Sequence, residues 1–395
     1  MRLLLVGQAA QKSGYARVLR SLAPRLAGEF DVSYFTVNTR TPTLLSGVEC
    51  VAPTRVSDPF GFAQLPEVLS GRAPDVVLAC HDATVSAHYA RLVRTHRPTA
   101  RVVLYVALEF DELYQTTAQG LCLADELVCY TRTAARWLTG QLEAHFPGAR
   151  RPTVSVLPHG LDPGVFGPIG SDGRVPGTRI EPAGCRATAR AMLGLPGSGP
   201  ILLNANRDTP RKRLDLAVQA FAAVSREMPE ARLVLLHGAE QRAAARELGV
   251  EDRLVVPDRA PDDATLNLYF NAADIGFNTC TAEGWGLMAL EHASSGVAQV
   301  MPGHPALREI WGQNVEFVPC QDSPVAGYGP TTAPDHARAL AGLLTRPGHR
   351  ARLGRAAQRV ATSSELDWDA IARKWSRVLS GTARSARLST QAAIT

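Results

Sequence analysis

The stretch ADIGFNTCTAEGWGLMALEHASSGVAQV, Ala273–Val300, decides how the rest of the chain is read. Its short apolar run from Ile275 to Phe277 predicts a buried strand, which Asn278 to Glu283 interrupts. Helical spacing resumes from Gly286 to Ser295, Gly296 ends it, and Val297 to Met301 reads as a second strand with Gln299 inside. Strand, loop, helix, strand is the grammar of a parallel βαβ unit, and such units place ligands at the carboxyl ends of their strands. Glu283 stands just before the turn Gly284-Trp285-Gly286, and Glu291 follows about two helical turns later along one face. The glycines let backbone N–H groups approach an anion, while the two carboxylates accept hydrogen bonds from hydroxyls. A ligand carrying both a phosphate and several hydroxyls satisfies the pattern. Read alone, so does a helix-capping Glu283 with Glu291 on a solvated face.

The same alternation runs outward from this unit. Ile201 to Ala205 opens a series with strands at 233–236, 254–256, 274–277, 297–301 and 315–318. Helices are predicted near 213–228, 240–248, 262–271, 286–295, 335–346 and 348–361. After the first of these strands comes Asn206-Arg207-Asp208-Thr209-Pro210-Arg211-Lys212-Arg213. Four cationic side chains crowded at a strand's carboxyl end repel one another unless solvent screens them or an anion joins them. A diphosphate is the natural guest.

An earlier series begins at Leu3 to Val6, with strands at 32–37, 76–79, 102–106, 127–130 and 154–157 and helices at 15–26, 62–70, 84–96, 113–123 and 132–145. Two such runs predict two parallel sheets with helices on both faces. The loop from Gly7 to Gly14 joins a strand to a helix, but its glycines are too far apart for a P-loop or a dinucleotide fingerprint. His81-Asp82 follows a strand read as ending at Cys80, and Glu109 and Asp111 follow one ending at Ala107. His81 in such a place is either a site residue or a structural hydrogen-bonder. The expected domains are 1–165 and 200–366, joined by a Gly- and Pro-rich excursion at 166–199 that holds a short helix near 187–193. A last helix, within 367–380, precedes a small-polar and Arg-rich tail at 382–395 expected to be disordered.

Composition narrows the function classes. A chain of 395 residues, 45% apolar and 20% charged, is an ordinary globular protein of about two domains. A net charge of +5 without a long basic block argues against nucleic acid as the partner. No apolar run is long enough to span a bilayer. The opening MRLLLVG reads as a first strand, its apolar run being too short for a signal peptide, so the expected location is cytoplasmic. No basic amphipathic helix opens the chain, which leaves only peripheral membrane contact open. Seven scattered cysteines without a C-x-x-C fit reduced thiols and no structural zinc. Arginine supplies nearly all the positive charge; the only lysines are Lys12, Lys212 and Lys374.

These pieces in this order resemble the retaining GT-B glycosyltransferases of family 4 (group 1). The resemblance rests on Glu283-Gly-Trp-Gly-Leu-Met-Ala-Leu-Glu291, on Arg207-x4-Lys212, on His159-Gly160-Leu161-Asp162 with Phe166, on Ser13-Gly14-Tyr15, and on Asp367-Trp368-Asp369. It implies two Rossmann-like domains facing a central cleft, with the last helix crossing back to the first domain. The activity it implies is transfer of a hexosyl or N-acetylhexosaminyl group from a UDP- or GDP-linked donor to an acceptor hydroxyl. Position by position, Arg207 and Lys212 would hold the donor diphosphate, Glu291 the ribose, and Glu283 the transferred sugar. The amides of Gly284, Trp285, Gly286 and Leu287 would border the donor, Gly14 would approach it from the first domain, and His81 matches an acceptor-side histidine. The chain departs from the family where Arg213 stands in place of the usual Gly after the donor Lys, and where the N-terminal loop lacks a Gly-Gly pair.

The implied mechanism is front-face attack with retention. No Asp-x-Asp ends a strand, so neither a metal nor a cofactor is expected, and a UDP-sugar is slightly preferred over a GDP-sugar. The acceptor stays open among saccharide, lipid carrier and small metabolite. Gly284-Trp-Gly286-Leu-Met-Ala289 also matches G-x-G-x-x-A, but Glu283 beside it would repel a pyrophosphate and the loop at 207–213 would be unexplained. A GT-B-like nucleotide-sugar epimerase, or an inactive nucleotide-sugar-binding protein, is the alternative.

Overall fold

The computed structural model describes residues 1–10, 13–39, 44–54, 57–170 and 182–381; Lys12, part of the predicted excursion and the predicted disordered tail lie outside them. The chain divides into two compact units, Met1–Gly160 with the segment from Trp368 onward, and Leu161–Asp367.

The first unit alternates β1 (Arg2–Gln8), α1 (Gly14–Leu26), β2 (Asp31–Val37), β3 (Glu49–Val51), α2 (Leu65–Arg72), β4 (Val76–Asp82), α3 (Ala83–His96), β5 (Arg101–Ala107), α4 (Gln115–Leu121), β6 (Glu126–Cys129), α5 (Arg132–His145) and β7 (Thr153–Val156). Its seven strands are ordered β3-β2-β1-β4-β5-β6-β7 and pair in parallel, so the order reverses between β1 and β4. Leu4, Val6, Val77, Ala79, Val102, Leu104 and Val106 pack one face of the sheet against Ala87, Ala90, Leu121 and Leu138 of the helices. Near-continuous apolar strands are what burial on both faces demands. Side chains cap the helices that leave the carboxyl edge: Ser13 accepts from Ala16 N at 3.2 Å, Asp82 from Val85 N at 3.0 Å and Thr131 from Ala134 N at 3.1 Å.

The second unit adds α6 (Pro182–Leu193), β8 (Ile201–Asn204), α7 (Leu214–Glu227), β9 (Arg232–Leu235), α8 (Arg242–Glu247), β10 (Leu254–Val255), α9 (Asp263–Ala272), β11 (Ile275–Phe277), α10 (Leu287–Ser294), β12 (Ala298–Pro302), α11 (Pro305–Trp311), β13 (Glu316–Val318), α12 (Ala333–Leu344) and α13 (Pro347–Ala361). Its order, β10-β9-β8-β11-β12-β13, reverses between β8 and β11. A final helix, α14 (Trp368–Leu379), belongs to the first unit, where Trp375 meets the Tyr105 ring at 4.9 Å and Asp369 bridges Arg25 at 2.5 Å.

Three details differ from the sequence reading. Strand β4 runs on through His81 and Asp82, which pair in register with Val106 and Ala107, because Asp82 both completes the strand and caps α3. The short β3 and the helix α11, which starts at Pro305, were hidden by brevity. The described part of 166–199 is no separate excursion, since Ile169, Cys185 and Ala189 form a small core with Ala272 of α9. The Gly and Pro content masked that apolar set and a buried anchor. The Arg190 guanidinium donates to Asp274 at 2.6 Å, to the Ala272 carbonyl at 3.0 Å and to the Gly197 and Gly199 carbonyls at 3.2 and 3.1 Å.

Arg190→Ala removes the shortest Asp274 ion pair, leaving Arg186 at 3.4 Å and Arg350 at 3.9 Å, and should cost about 2 kcal/mol in denaturant titration. Arg190→Lys should recover little of it, because an ammonium cannot serve four acceptors spread around a planar fork.

Candidate active site

The second unit concentrates polar groups where β8 and β11 end, the switch point of its sheet. Buried Asn204, Asn206 and Asn278 form one amide chain. Asn204 Oδ1 accepts from Asn206 N at 3.1 Å and Nδ2 at 2.9 Å, and Asn278 Oδ1 accepts from Asn206 Nδ2 at 3.3 Å and Cys280 N at 3.0 Å. Thr279, fully buried, turns the cationic loop toward this corner, its hydroxyl lying 2.9 and 2.8 Å from the carbonyls of Lys212 and Arg213. Thr281 N donates to the Arg211 carbonyl at 2.9 Å. The loop is therefore clamped through its backbone, which leaves its side chains to face the site.

Residues Pro210–Lys212 form a single 3-10 turn, and Arg213 after it has φ 49° and ψ 53°. That is left-handed backbone, where glycine is at ease and a side chain costs about 1 to 2 kcal/mol. Here Arg213 holds the conformation with a two-point ion pair to Asp215, at 2.9 and 2.8 Å. Pairing within α7 takes that guanidinium out of the site.

Lys212 and Arg211 both address Glu283. Lys212 Nζ donates to Glu283 Oε2, Arg211 Nη1 lies 3.6 Å from Oε1, and Asn278 Nδ2 is 3.5 Å from Oε2. Arg211 also donates to the Ala282 carbonyl at 2.5 Å. Burial alone would raise the Glu283 pKa, but the Lys212 and Arg211 charges and the Lys212 and Asn278 hydrogen bonds outweigh it and bring it down to about 2. Two cations thus address one buried carboxylate.

Helix α10 starts beside this cluster. Its cap Gly286 has φ 83°, a geometry that lets the chain turn from Glu283 into the helix within three residues. The helix is held close to β11 because Gly276 has no side chain: a Cβ there would meet His292 Nδ1 at 2.3 Å and Gln299 Oε1 at 2.5 Å. His292 stacks on Phe270 at 4.8 Å and bonds the Phe270 carbonyl at 3.1 Å, and burial lowers its pKa to about 3, so it packs as a neutral ring. Glu291, one residue earlier, is 2% exposed, and Trp285 and Leu287 are buried as well.

In the first unit, His81 is buried where β1 and β4 part. Its Nδ1 lies 2.7 Å from Asp82 Oδ2 and its Nε2 3.3 Å from Gln8 Nε2, while Ser13 Oγ donates to Gln8 Oε1 at 2.5 Å. Gln8 and Asp82 thus hold the ring from its two nitrogens, and the Asp82 backbone amide also donates to Nδ1 at 2.9 Å. Burial raises the Asp82 pKa, yet the hydrogen bonds from His81 and the Val85 amide hold it below the usual range. Gly14 is the exposed first residue of α1, next to this network.

Of the residues singled out by sequence, the structure brings Lys212 and Glu283 into contact. Arg207 is exposed at the mouth of the same loop and makes no ion pair among the described residues. Arg211, which the spacing pattern did not single out, lies beside Glu283. Asn278 was also missed; its polar side chain at a strand end was the available signal. Cys280 and Cys320 flank the site region, and all seven cysteines are free.

Residues 186–360 match the family described as glycosyl transferases, group 1. The likeness to the group 1 glycosyl transferases lies within the second unit. A D-inositol 3-phosphate glycosyltransferase of Xylanimonas cellulosilytica is 31% identical to it over 263 residues, 64% of this chain and 56% of the relative. One of Streptomyces coelicolor is 31% identical over 70% of this chain and 57% of the relative. The chain thus spans little more than half the length of the curated relatives it matches. In fold it is similar to a sucrose-phosphate synthase from Thermosynechococcus elongatus, with TM-score 0.74, 17% identity and coverage of 97% and 99% of the two chains. It is similar also to Anabaena HepE, solved in complex with UDP-glucose, with TM-score 0.72, 15% identity and coverage of 96% and 100%. The fold of this chain is GT-B, two Rossmann-like parallel-sheet domains. Among its described residues no helix is long and apolar enough to cross a membrane.

The low Glu283 pKa makes a signed prediction. A carboxylate held near 2 in the fold and near 4.3 unfolded stabilises the protein above about pH 4.3, by roughly 3 kcal/mol, and that contribution disappears as pH falls toward 2. Denaturant titrations of the wild type and Glu283→Gln should therefore differ most near neutrality and converge by about pH 2.

Proposed function

We propose that this chain moves a sugar from a UDP-linked donor to an acceptor hydroxyl, with retention of configuration and without a metal. The observation that carries the reading is the Lys212–Glu283–Arg211 cluster beside the turn into α10. Its two cations and the amides at the helix start suit a diphosphate, and its carboxylate suits sugar hydroxyls. A nicotinamide cofactor would bring its pyrophosphate against the same Glu283 and gain nothing from it.

Cleaving the sugar–phosphate bond moves an electron pair onto the diphosphate while the anomeric carbon becomes cationic. Lys212 and Arg211 stabilise the first charge as it grows, and ionised Glu283 lies on the side of the second. In front-face attack the acceptor oxygen bonds the anomeric carbon from the side the diphosphate leaves, and its proton passes to a departing phosphate oxygen. Configuration is thereby retained without a covalent enzyme intermediate. Arg207, exposed, closes on the outer phosphate, and Glu291 in α10 holds the ribose hydroxyls. On the acceptor side His81 is held by Asp82 and Gln8. In the Asp-x-Asp sequence at 367–369, Asp369 pairs with Arg25 of the first unit. Lys212 and Arg211 therefore take the part a metal plays elsewhere. The preference for uridine is supported by the UDP-glucose complex of HepE, a protein of the same fold.

Release of UDP from UDP-glucose in the presence of acceptor should fall by on the order of 10² to 10³ in Lys212→Met and in Arg211→Met, and by less in Arg207→Met. Because Lys212→Met leaves the Glu283 carboxylate exposed to burial cost, the double variant Lys212→Met/Glu283→Gln serves as the folding control. Near-normal turnover in the double variant would show that the cluster is structural.

A further inference from the structure

Helix α14 packs along α1, turning Trp368, Ile371, Trp375 and Leu379 inward. Its other face is cationic. Arg373, Lys374, Ser376, Arg377 and Ser380 line a groove of about 620 Å³, and Glu29, from the segment between α1 and β2, completes the polar lining. The one apolar residue that lines it is Ala370.

Arg373, Ser376, Arg377 and Ser380 follow one another at i, i+3, i+4 and i+7, a single helical face that Lys374 flanks. Like charges one turn apart, as Arg373 and Arg377 are, destabilise a helix unless an anion joins them. Arg373 and Lys374 make no ion pair among the described residues. Lys374 is also one of only three lysines in a chain that otherwise uses arginine, and a compact ammonium beside a planar guanidinium gives an anion two different kinds of donor.

Ser376 is the sharper signal. It is 7% exposed, the one hydroxyl among the buried residues of α14, and it lines the groove. A helix serine commonly donates to the carbonyl one turn back, as Ser380 does to the Ser376 carbonyl at 2.7 Å. The Ser376 hydroxyl has no hydrogen-bond partner among the described residues. It therefore adds a neutral donor beneath the cations, suited to an anionic oxygen.

The groove is remote from the His81 corner. Glu29 stands two residues before Asp31, which pairs with Arg2 at the amino edge of the sheet, whereas His81 lies near the carboxyl edge. Glu29 also narrows the ligand class. An anionic bilayer would be repelled by that carboxylate and would have only Ala370 to bury beside it, while the hydroxyls of a small ligand can donate to it.

We infer that this groove binds a soluble phosphate monoester that also bears hydroxyls, the class of the sugar phosphates. Arg373, Lys374 and the Ser376 hydroxyl hold the phosphate, and Glu29 accepts from a hydroxyl. The inference stands apart from the glycosyl-transfer reading.

Isothermal titration calorimetry on the full chain at low salt and about pH 7.5, where a phosphate monoester is mostly a dianion, tests this with D-glucose 6-phosphate, D-glucose and UDP. D-glucose 6-phosphate should bind the wild type at least about tenfold tighter than D-glucose. It should weaken about tenfold in Lys374→Gln and in Arg373→Gln, and about threefold in Ser376→Ala, while UDP affinity stays the same and reports an intact fold. D-glucose 6-phosphate that fails to bind, or that binds both charge variants as it binds the wild type, overturns the inference. So does an equal weakening of UDP in those variants, which would mark a general loss of charge. Cosedimentation with vesicles of phosphatidylcholine and phosphatidylglycerol that is lost in Lys374→Gln, with no binding of D-glucose 6-phosphate, would make this a membrane face and overturn it as well.

Discussion

Lys212 and Arg211 converge on one carboxylate, and that imbalance shapes everything around it. Glu283 is buried, so its charge survives only because two cations sit on it. The surrounding polar groups keep this arrangement from relaxing: Asn278 shares Glu283, Thr279 clamps the Lys212 and Arg213 carbonyls, and Arg213 is drawn off onto Asp215. On the proposed reading, a diphosphate joins the two cationic heads.

The sheets explain why the polar groups gather there. In each unit the strand order reverses once, between β1 and β4 and between β8 and β11, and the two neighbouring strands send their following loops in opposite directions. His81, Gln8 and Ser13 occupy that point in one unit, and Asn204, Asn206, Asn278 and the cationic loop occupy it in the other. Glycine lets the helices come close: without a side chain at Gly276, His292 packs against β11 and α10 stays beside Glu283.

Strand and helix periodicity was legible because these parallel strands are buried on both faces and read as plain apolar runs. Elements too short to show a period, β3 and α11, were not. The excursion at 166–199 misled because composition reports backbone freedom and not packing, and a single buried Arg190 reaching Asp274 is invisible in a Gly- and Pro-rich string. In the site, the gathering of Glu283 and Lys212 in one corner followed from charge placed at strand ends. The contact of Arg211 with Glu283 did not, because it depends on the 3-10 turn at Pro210–Lys212. The same turn gives a physical reason for the departure at Arg213, where an ion pair replaces the conformational freedom of glycine.

The most direct test of the central claim is a crystal structure of the full chain with UDP bound. The account predicts diphosphate oxygens within hydrogen-bond distance of both Lys212 Nζ and the Arg211 guanidinium, with Glu283 beside them facing the space a sugar would fill. A diphosphate seated elsewhere, with the Lys212–Glu283 pair closed and untouched, would contradict it.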